Sequence, residues 1–233
     1  MIFNNYDFKD DLVVEEIVRS IMPNVFNSSK YVPGLNGSVF NRSTLSESYI
    51  TVKCRLIKKK RNDVQVSMRK IAGKLHSPTP EKLKLRDEKD HYNLAIVDGM
   101  TEVEKYFNTG YFEITFICHD PFAYTDEKVF PVNETFNNVG TFETHSIIEI
   151  TVGTTDKLVV HVGKLSEAIT LIYPFTGTQK IVINSEKQLV TMNGNNAMKF
   201  LTLESDFFTI PIGETKVTVN SGTGTVKLKE RYL

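Results

Sequence analysis

Short apolar segments separated by turn residues dominate the second half of this sequence. From Ser146 onward they recur at intervals of roughly eight to twelve residues, with glycine, asparagine and proline between them. The segments are SIIEITVG, KLVVHVG, EAITLIYPF, QKIVINS, QLVTM, FFTIPIG, TKVTVNSG and GTVKLKERYL. This spacing is typical of an all-β sandwich, and nothing in it has helical periodicity. Residues 135–233 are therefore predicted to form a β-sandwich.

The first half also contains strands, and these alternate largely between apolar and polar residues. SYITVKCRLI and FEITFIC each place every second side chain on one face, which is the pattern of a half-buried strand. Cys54 and Cys118 both fall on the apolar faces. Because cysteine is among the most frequently buried residue types, we expect both thiols in the core and no disulfide.

One helix is predicted, at about residues 62–76. Asn62 or Asp63 can cap it, and its last turn carries cations, which favour the helix dipole. The apolar stripe of the helix consists of Val64, Met68, Ile71 and Leu75, and Pro78 ends the helix.

Beyond the helix, NLAIVDGMTEVEKYFNTGYFEITFIC predicts a meander of three strands joined by an Asp98-Gly99 turn and an Asn-Thr-Gly turn. The stretch TDEKVFPVNETFNNVGTFETH has the composition of a connector. The domain boundary is therefore predicted near residue 135. The N-terminal domain would span 1–134 and the C-terminal domain 135–233.

Composition excludes several classes of protein. Among 233 residues, 28 basic side chains balance 28 acidic ones, so no overall field attracts nucleic acid or anionic lipid. Two cysteines are too few for a disulfide scaffold. The N terminus lacks the pattern of a signal peptide, and no segment has the length of a membrane span. The sequence thus predicts a soluble protein that folds in a reducing cytoplasm.

The most chemically suggestive motif is the His119-Asp120-Pro121 cluster at the end of FEITFIC. Adjacent strand residues point to opposite faces, so the imidazole and the carboxylate cannot easily form an orienting pair. Pro121 holds Asp120 extended, which suits the exit from a strand. We interpret the cluster as a strand end rather than a catalytic pair.

Other reactive constellations are not found either. Five histidines are scattered singly, without the spacing of metal ligands, and no phosphate-binding or nucleophile motif occurs. A β-sandwich hydrolase with dispersed carboxylates is the remaining enzymatic alternative, because such pairs converge only through the fold. The basic run KCRLIKKKRN has no interleaved aromatic residues, so it is interpreted as a solvated loop. No catalytic residue, metal or cofactor is predicted, and we do not expect an enzyme.

The order of these segments resembles the distal tail proteins of long, flexible-tailed (siphovirus-type) bacteriophages. The matching landmarks, in sequence order, are VPGLNGSVF, SYITVKCRL followed by the helix, GYFEITFICHDPFAY, GTFETHSIIEI and MNGNNAMKFLTLESDFFTIPIGETKVTV. They cover nearly the whole chain.

The resemblance implies a mainly β fold with one helix in two parts. The α+β N-terminal domain would be a β-sandwich-like unit that closes with five copies of itself into a hexameric ring. The C-terminal domain would be similar to galectins and carbohydrate-binding modules. Asp120, Pro121 and Tyr124 would mark the junction between the domains.

The implied function is that of a structural virion protein, a hub at the virion tail tip, assembled in the cytoplasm of the bacterial host. Its partners would be its own copies, the major tail tube protein, the tail-associated lysin, spike or tip protein, and a receptor-binding protein. No sequence-specific nucleic acid contact is expected. The alternative is a module that binds cell-wall carbohydrate, in which Tyr173 and Phe175 would contact the sugar.

Overall fold

The computed structural model describes residues 1–57, 63–100, 110–163 and 167–233. The chain divides into two compact units, Met1–Ala123 with Leu233, and Tyr124–Tyr232. This division lies before the predicted boundary at 134/135. The reason is that residues 128–131 and 135–138 form strands whose partners belong to the second unit.

In its described residues, the first unit contains one α-helix and one short 3-10 helix, Phe8–Asp10, and its other regular elements are strands. The elements, in chain order, are β1 (Ile2–Phe3), β2 (Tyr6–Asp7), β3 (Leu12–Arg19), β4 (Val25–Tyr31), β5 (Ser38–Leu45), β6 (Ser48–Leu56), α1 (Asp63–Leu75), β7 (Glu81–Lys84), β8 (His91–Met100) and β9 (Tyr111–Cys118).

One antiparallel sheet and α1 build the core of this unit. The strand order is β2-β1-β7-β8-β9-β6-β3. The predicted inward faces of β6 and β9 are confirmed, because every second side chain from Ile50 to Leu56 and from Phe112 to Cys118 is buried. Phe3 and Phe116 pack against each other in this core, with ring centroids 5.1 Å apart. Both thiols are free and buried, as expected.

The predicted helix is confirmed within one residue at each end. Ile71 and Leu75 of α1 are buried in the core, and Met68 packs beside them. The His76 N–H donates to the Ala72 carbonyl at 3.0 Å, which closes the last turn. Asn62, one of the two predicted caps, lies outside the described residues.

The predicted Asp98-Gly99 turn is wrong. Both residues lie inside β8, where the register against β9 shifts between Val97 and Gly99. The bulge accommodates the glycine within the strand, so the chain does not reverse there. The predicted middle strand and the Asn-Thr part of the second turn lie in 101–109, outside the described residues, as do residues 58–61 of the basic run.

The regular elements of the second unit are strands, apart from one short 3-10 helix in its described residues. They are β10 (Ala123–Thr125), which carries the division between the units, β11 (Lys128–Pro131), β12 (Thr135–Asn138), β13 (Ser146–Thr151), β14 (Thr154–Val162), β15 (Ala168–Thr176), β16 (Lys180–Asn184), β17 (Leu189–Met192), β18 (Asn195–Asn196), β19 (Gly213–Val219), β20 (Thr223–Leu228) and β21 (Arg231–Tyr232).

Two antiparallel sheets enclose the core of this unit, and the predicted sandwich is confirmed. One sheet has the order β11-β20-β13-β16-β17-β18, and the other has the order β12-β19-β14-β15. Ile148 and Ile150 from the first sheet share one buried cluster with Leu158, Val160 and other residues of the second. Burying such aliphatic side chains contributes roughly 1.5–3 kcal/mol each.

Three details of the second unit differ from the prediction. The predicted connector supplies β11 and β12. FFTIPIG makes only an isolated bridge, between Ile210 and Thr144, before β19 begins at Gly213. A short 3-10 helix occupies Met198–Phe200. The turn at Asn193-Gly194 is confirmed, since Thr191 pairs with Asn196 and Met192 with Asn195 around it.

In the described part of the chain, no helix combines the length and the apolar character that a bilayer crossing requires.

Candidate assembly surface

The hairpin formed by β4 and β5 is a separate two-stranded sheet that exposes its apolar side chains. Phe26 is 62% exposed, Tyr31 is 71% exposed and Phe40 is 63% exposed. Within the two strands only Ser28 and Leu45 are half-buried, and the rest are exposed. Because an isolated hairpin is marginally stable in water, exposed aromatic groups on it indicate a surface that another chain covers.

Each face of the hairpin carries exposed apolar side chains. Lys30 pairs with Val39 across the strands, and Phe26 precedes Lys30 by four residues on the same face. Phe40 pairs with Ser29, which shares its face with Tyr31. Both faces are exposed to solvent, and the hairpin forms a sheet separate from the main sheet of its unit. A partner that covers the hairpin therefore contacts it from both sides.

The charge of this segment has one sign. Lys30 and Arg42 are its charged side chains, and no acidic residue occurs from Ser20 to Ser46. Their positions on an apolar hairpin favour a partner surface that offers carboxylates as well as apolar contacts.

The edge strand β3 lies directly before the hairpin in the sequence. It ends the described sheet of the first unit, and it contains eight residues and no proline. The Arg86 guanidinium donates to the Glu15 carbonyl at 3.1 Å, at the bulge where the register against β6 shifts. Val18, further along the strand, is 45% exposed. A long edge without proline is suited to pairing with another chain.

The edges of the second unit are of a different kind. β18 has two residues, β12 has four, and β11 ends in Pro131. β15 contains Pro174, and its first part is covered because Thr202 N–H donates to the Thr170 carbonyl at 3.0 Å. Short strands, prolines and covering loops are the usual protection of sheet edges against strand addition. The edge suited to assembly therefore belongs to the first unit.

The predicted junction residues lie next to the division of the chain. The Asp120 carboxylate accepts a hydrogen bond from the Phe122 N–H at 3.3 Å, across Pro121. This local turn agrees with a strand exit rather than with a catalytic pair. Tyr124 is the first residue of the second unit. A role for these residues as a hinge stays a prediction.

The two aromatic residues predicted to contact sugar lie side by side, but not equally at the surface. Phe175 is buried in the sandwich core at 2% exposure. Tyr173 is half-buried, and its ring lies 5.2 Å from that of Phe175 and 4.8 Å from that of Phe200. Phe175 thus contributes to packing, and only Tyr173 of this pair reaches solvent.

Groups that could hold a metal do not converge in the described ranges. No cluster of three or more histidine, cysteine, aspartate or glutamate side chains with suitable placement occurs there. Burial raises the pKa of the Cys54 thiol to about 12 and that of the Cys118 thiol to about 11, so neither is a nucleophile at neutral pH.

The second unit has an open pocket of about 130 Å³ between β13, β16 and β20. Its lining carries both signs of charge, including Glu127, Glu186 and Lys227. Lys227 is already engaged, because its Nζ lies 2.6 Å from Glu149 Oε1. His145 lines the pocket together with these carboxylates, but among the described residues no group of three or more side chains there is placed to hold a metal.

Sequence reasoning identified VPGLNGSVF as a landmark, but it did not identify the hairpin around it as a surface. A usable signal was present in the sequence: apolar residues occur on both sides of this loop in a stretch without any acidic residue.

Two family models match consecutive parts of the chain. The one described as phage tail protein RIFT-related domain matches residues 12–118. The one described as siphovirus-type tail component, C-terminal domain, matches residues 139–232. The chain belongs to the distal tail protein family of siphovirus-type phages. It is a structural tail protein of the hub class, and its location is the virion tail tip.

One solved structure agrees with this assignment at the level of the fold. The crystal structure of SPP1 Dit (gp 19.1), titled a paradigm of the hub adsorption apparatus in phages that infect Gram-positive bacteria, matches with a TM-score of 0.87. That match has 18% sequence identity and covers 100% of this chain and 98% of the SPP1 chain.

A chain of the phage P2 baseplate, in its activated conformation with Ca, matches with a TM-score of 0.48 and 13% identity, over 94% of this chain and 91% of that one. No curated protein matches the sequence. The distal tail family is a family of structural virion proteins.

Proposed function

We propose that this chain forms a hexameric ring that joins the tail tube to the tip complex of the virion and that it performs no catalysis. The observation that carries the proposal is the hairpin β4–β5, whose aromatic side chains are exposed on both faces. Its partners would be other copies of the chain, the major tail tube protein, and the lysin, spike or receptor-binding proteins of the tip.

A ring requires an interface in which one patch of a copy meets a different patch of the next copy. Such heterologous contacts close into a ring when their rotation is right. The hairpin and the edge of β3 are two different patches within the same unit, and each is suited to an inter-chain contact. The second unit, with its short or proline-containing edges, is then free of that role.

The apolar area of the hairpin is sufficient for a contact between copies. An aromatic side chain covers roughly 200 Å², and about three-fifths of Phe26 is exposed. Covering that area contributes at most about 3 kcal/mol at about 25 cal/mol per Å². A closed ring repeats the contact at each interface, so even modest contacts give a stable assembly.

Measuring the oligomer directly tests the proposal. Native mass spectrometry and analytical ultracentrifugation of the full chain should give a six-copy species, and negative-stain images should give rings with a central channel. A chain that stays monomeric over a wide concentration range would overturn the ring. Release of reducing sugar from bacterial cell wall would overturn the non-catalytic role.

The surface assignment has its own test. Replacing Phe26 and Phe40 by serine removes the large apolar groups from opposite faces of the hairpin. The variant should therefore need a much higher protein concentration than the unchanged chain to assemble into rings. The matched control is Ile172→Ser, because Ile172 is exposed to a similar extent, 60%, but lies in the second unit. Equal loss of assembly in both variants would show that the hairpin has no special role.

A further inference from the structure

The loop at the tip of the hairpin contains one of the two Asn-Gly steps of the sequence, Asn36-Gly37. The Leu35 N–H donates to the Val32 carbonyl at 3.1 Å and closes a turn around Pro33 and Gly34. Asn36 and Gly37 follow this turn and are exposed. Gly37 has a φ of +89°, and no atom lies within 4 Å of the position that a Cβ would occupy there. The space around the step is open.

An asparagine followed by glycine carries its own reaction partner. The backbone nitrogen of the glycine attacks Cγ of the asparagine side chain, a N–Cγ bond forms, and the side-chain amide nitrogen leaves as ammonia with the displaced proton. Water then adds to either carbonyl of the five-membered succinimide and opens the ring to aspartate or isoaspartate. Glycine favours the step because no Cβ obstructs the approach, and because its backbone samples many conformations.

The second Asn-Gly step of the chain provides an internal comparison. Asn193-Gly194 forms the two-residue turn between β17 and β18, and both residues have positive φ, 49° and 83°. The Asn193 Oδ1 accepts a hydrogen bond from the Lys180 N–H at 2.9 Å, and the Asn193 N–H donates to the Lys180 carbonyl at 2.8 Å. These bonds fix the side-chain amide and the backbone, so Gly194 cannot easily reach Cγ.

We propose that Asn36-Gly37 is a site of spontaneous deamidation in this protein and that Asn193-Gly194 is protected by its turn. The product carries the one negative charge of the segment from Ser20 to Ser46, at the tip of a hairpin that otherwise carries Lys30 and Arg42. The isoaspartate form also lengthens the backbone of the loop between Tyr31 and Ser38. The proposal does not depend on the ring, because it concerns the chemistry of the loop itself.

Peptide mapping by mass spectrometry tests the proposal on the folded full-length chain. The protein is incubated in mildly alkaline buffer made with heavy-oxygen water, so that only conversion during the incubation is labelled. Asn36 should convert faster than Asn193 by at least roughly fivefold, the ratio expected for one net hydrogen bond. Gly37→Ala should slow the conversion of Asn36 and leave that of Asn193 unchanged. Asn36→Gln should abolish the labelled product in that peptide.

Three results would overturn the proposal. The first is equal conversion of Asn36 and Asn193 in the folded chain. The second is no conversion of Asn36 over a period in which the urea-unfolded chain converts both. The third is a rate at Asn36 that Gly37→Ala does not change, because attack by the following amide requires the open approach that glycine provides.

Discussion

The buried carboxylate of Glu230 offers a sharp test of what holds the second unit together. The side chain is 1% exposed, and its Oε2 lies 2.7 Å from Lys128 Nζ. The Tyr232 hydroxyl also donates to Oε2, at 3.1 Å, and the Val139 N–H donates to Oε1 at 3.4 Å. Lys128 therefore supplies a positive charge next to the buried carboxylate. Their ion pair connects β11 to the segment just before β21.

The perturbation is Lys128→Met, which keeps the length of the side chain and removes its charge. Breaking a buried ion pair by removing one partner costs about 3–5 kcal/mol, because the other charge is left uncompensated. Lys128 is 42% exposed, so water replaces part of its contact and the cost is smaller. We expect a loss of about 2 kcal/mol in the free energy of unfolding, which lies between a surface pair and a fully buried one.

The assay is a double-mutant cycle with Glu230→Gln. Calorimetric scans at one protein concentration suit this chain, because it has no tryptophan and its two units can unfold in separate transitions. In the Glu230→Gln background the lysine no longer faces a buried charge, so Lys128→Met should cost little there. The coupling between the two changes should be at least about 1 kcal/mol.

A loss below about 0.5 kcal/mol for Lys128→Met would refute this reasoning, since that is the value of a solvated surface pair. Strict additivity of the two changes would refute it as well. Either result would mean that Glu230 is hydrated in the folded chain and that its burial does not depend on the lysine.

Three further predictions concern other positions. Gly224→Ala should lower the free energy of unfolding by about 1–3 kcal/mol, because the new Cβ would lie 2.1 Å from the Glu149 carbonyl oxygen. Gly73→Ala should raise the free energy of unfolding by about 0.5–1 kcal/mol, because the space around Gly73 in α1 is open. The same thermal scans measure both changes. For Asp11, burial opposes ionisation, but hydrogen bonds from Lys70 and Tyr6 outweigh it and lower the pKa below its ordinary value of 3.8. Its stabilisation is therefore present above that value and is lost as the pH falls through the folded pKa; Asp11→Asn should cost roughly 0.5–1 kcal/mol in urea unfolding at neutral pH and little in acid. Finally, iodoacetamide should label neither cysteine of the folded protein and both in urea, and labelling of the folded protein would contradict the burial of the thiols.

The sequence predicted those elements that bury one face and whose pattern of apolar residues lies within the element itself. β6 and β9 each bury one face, so their period-two pattern determines which side chains point inward. The stripe of α1 from Met68 to Leu75 determines that helix in the same way. The Asn193-Gly194 turn was predictable because its two residues tolerate the positive φ that such a turn requires.

Elements that depend on distant partners were missed. β11 pairs Lys128 with Leu228, about a hundred residues later in the chain, and no local pattern reveals that partner. Its proline and the asparagines that follow have the composition of a loop, and the sheet outweighs that preference. Asp98-Gly99 was misread for a similar reason, because a bulge opposite Thr115 keeps the chain extended there.

The candidate assembly surface was the least predictable feature. Periodicity reports which face of a strand is buried within its own chain, but both faces of the β4–β5 hairpin lie open, so its pattern of apolar residues has no single period. The prediction that Phe175 contacts sugar rested on composition alone. In the sandwich Phe175 lies on the inward side of β15 and belongs to the core.

Proline in β11 and β15 has a consequence for the virion as a particle. Pro131 and Pro174 lack the N–H that a foreign strand would need for adhesion. In the proposed ring, the sandwiches of several copies would be held at a high local concentration, a condition that promotes strand addition between unprotected β-proteins. Pro131 and Pro174 would then disfavour the addition of a strand from a neighbouring copy at these two sheet edges.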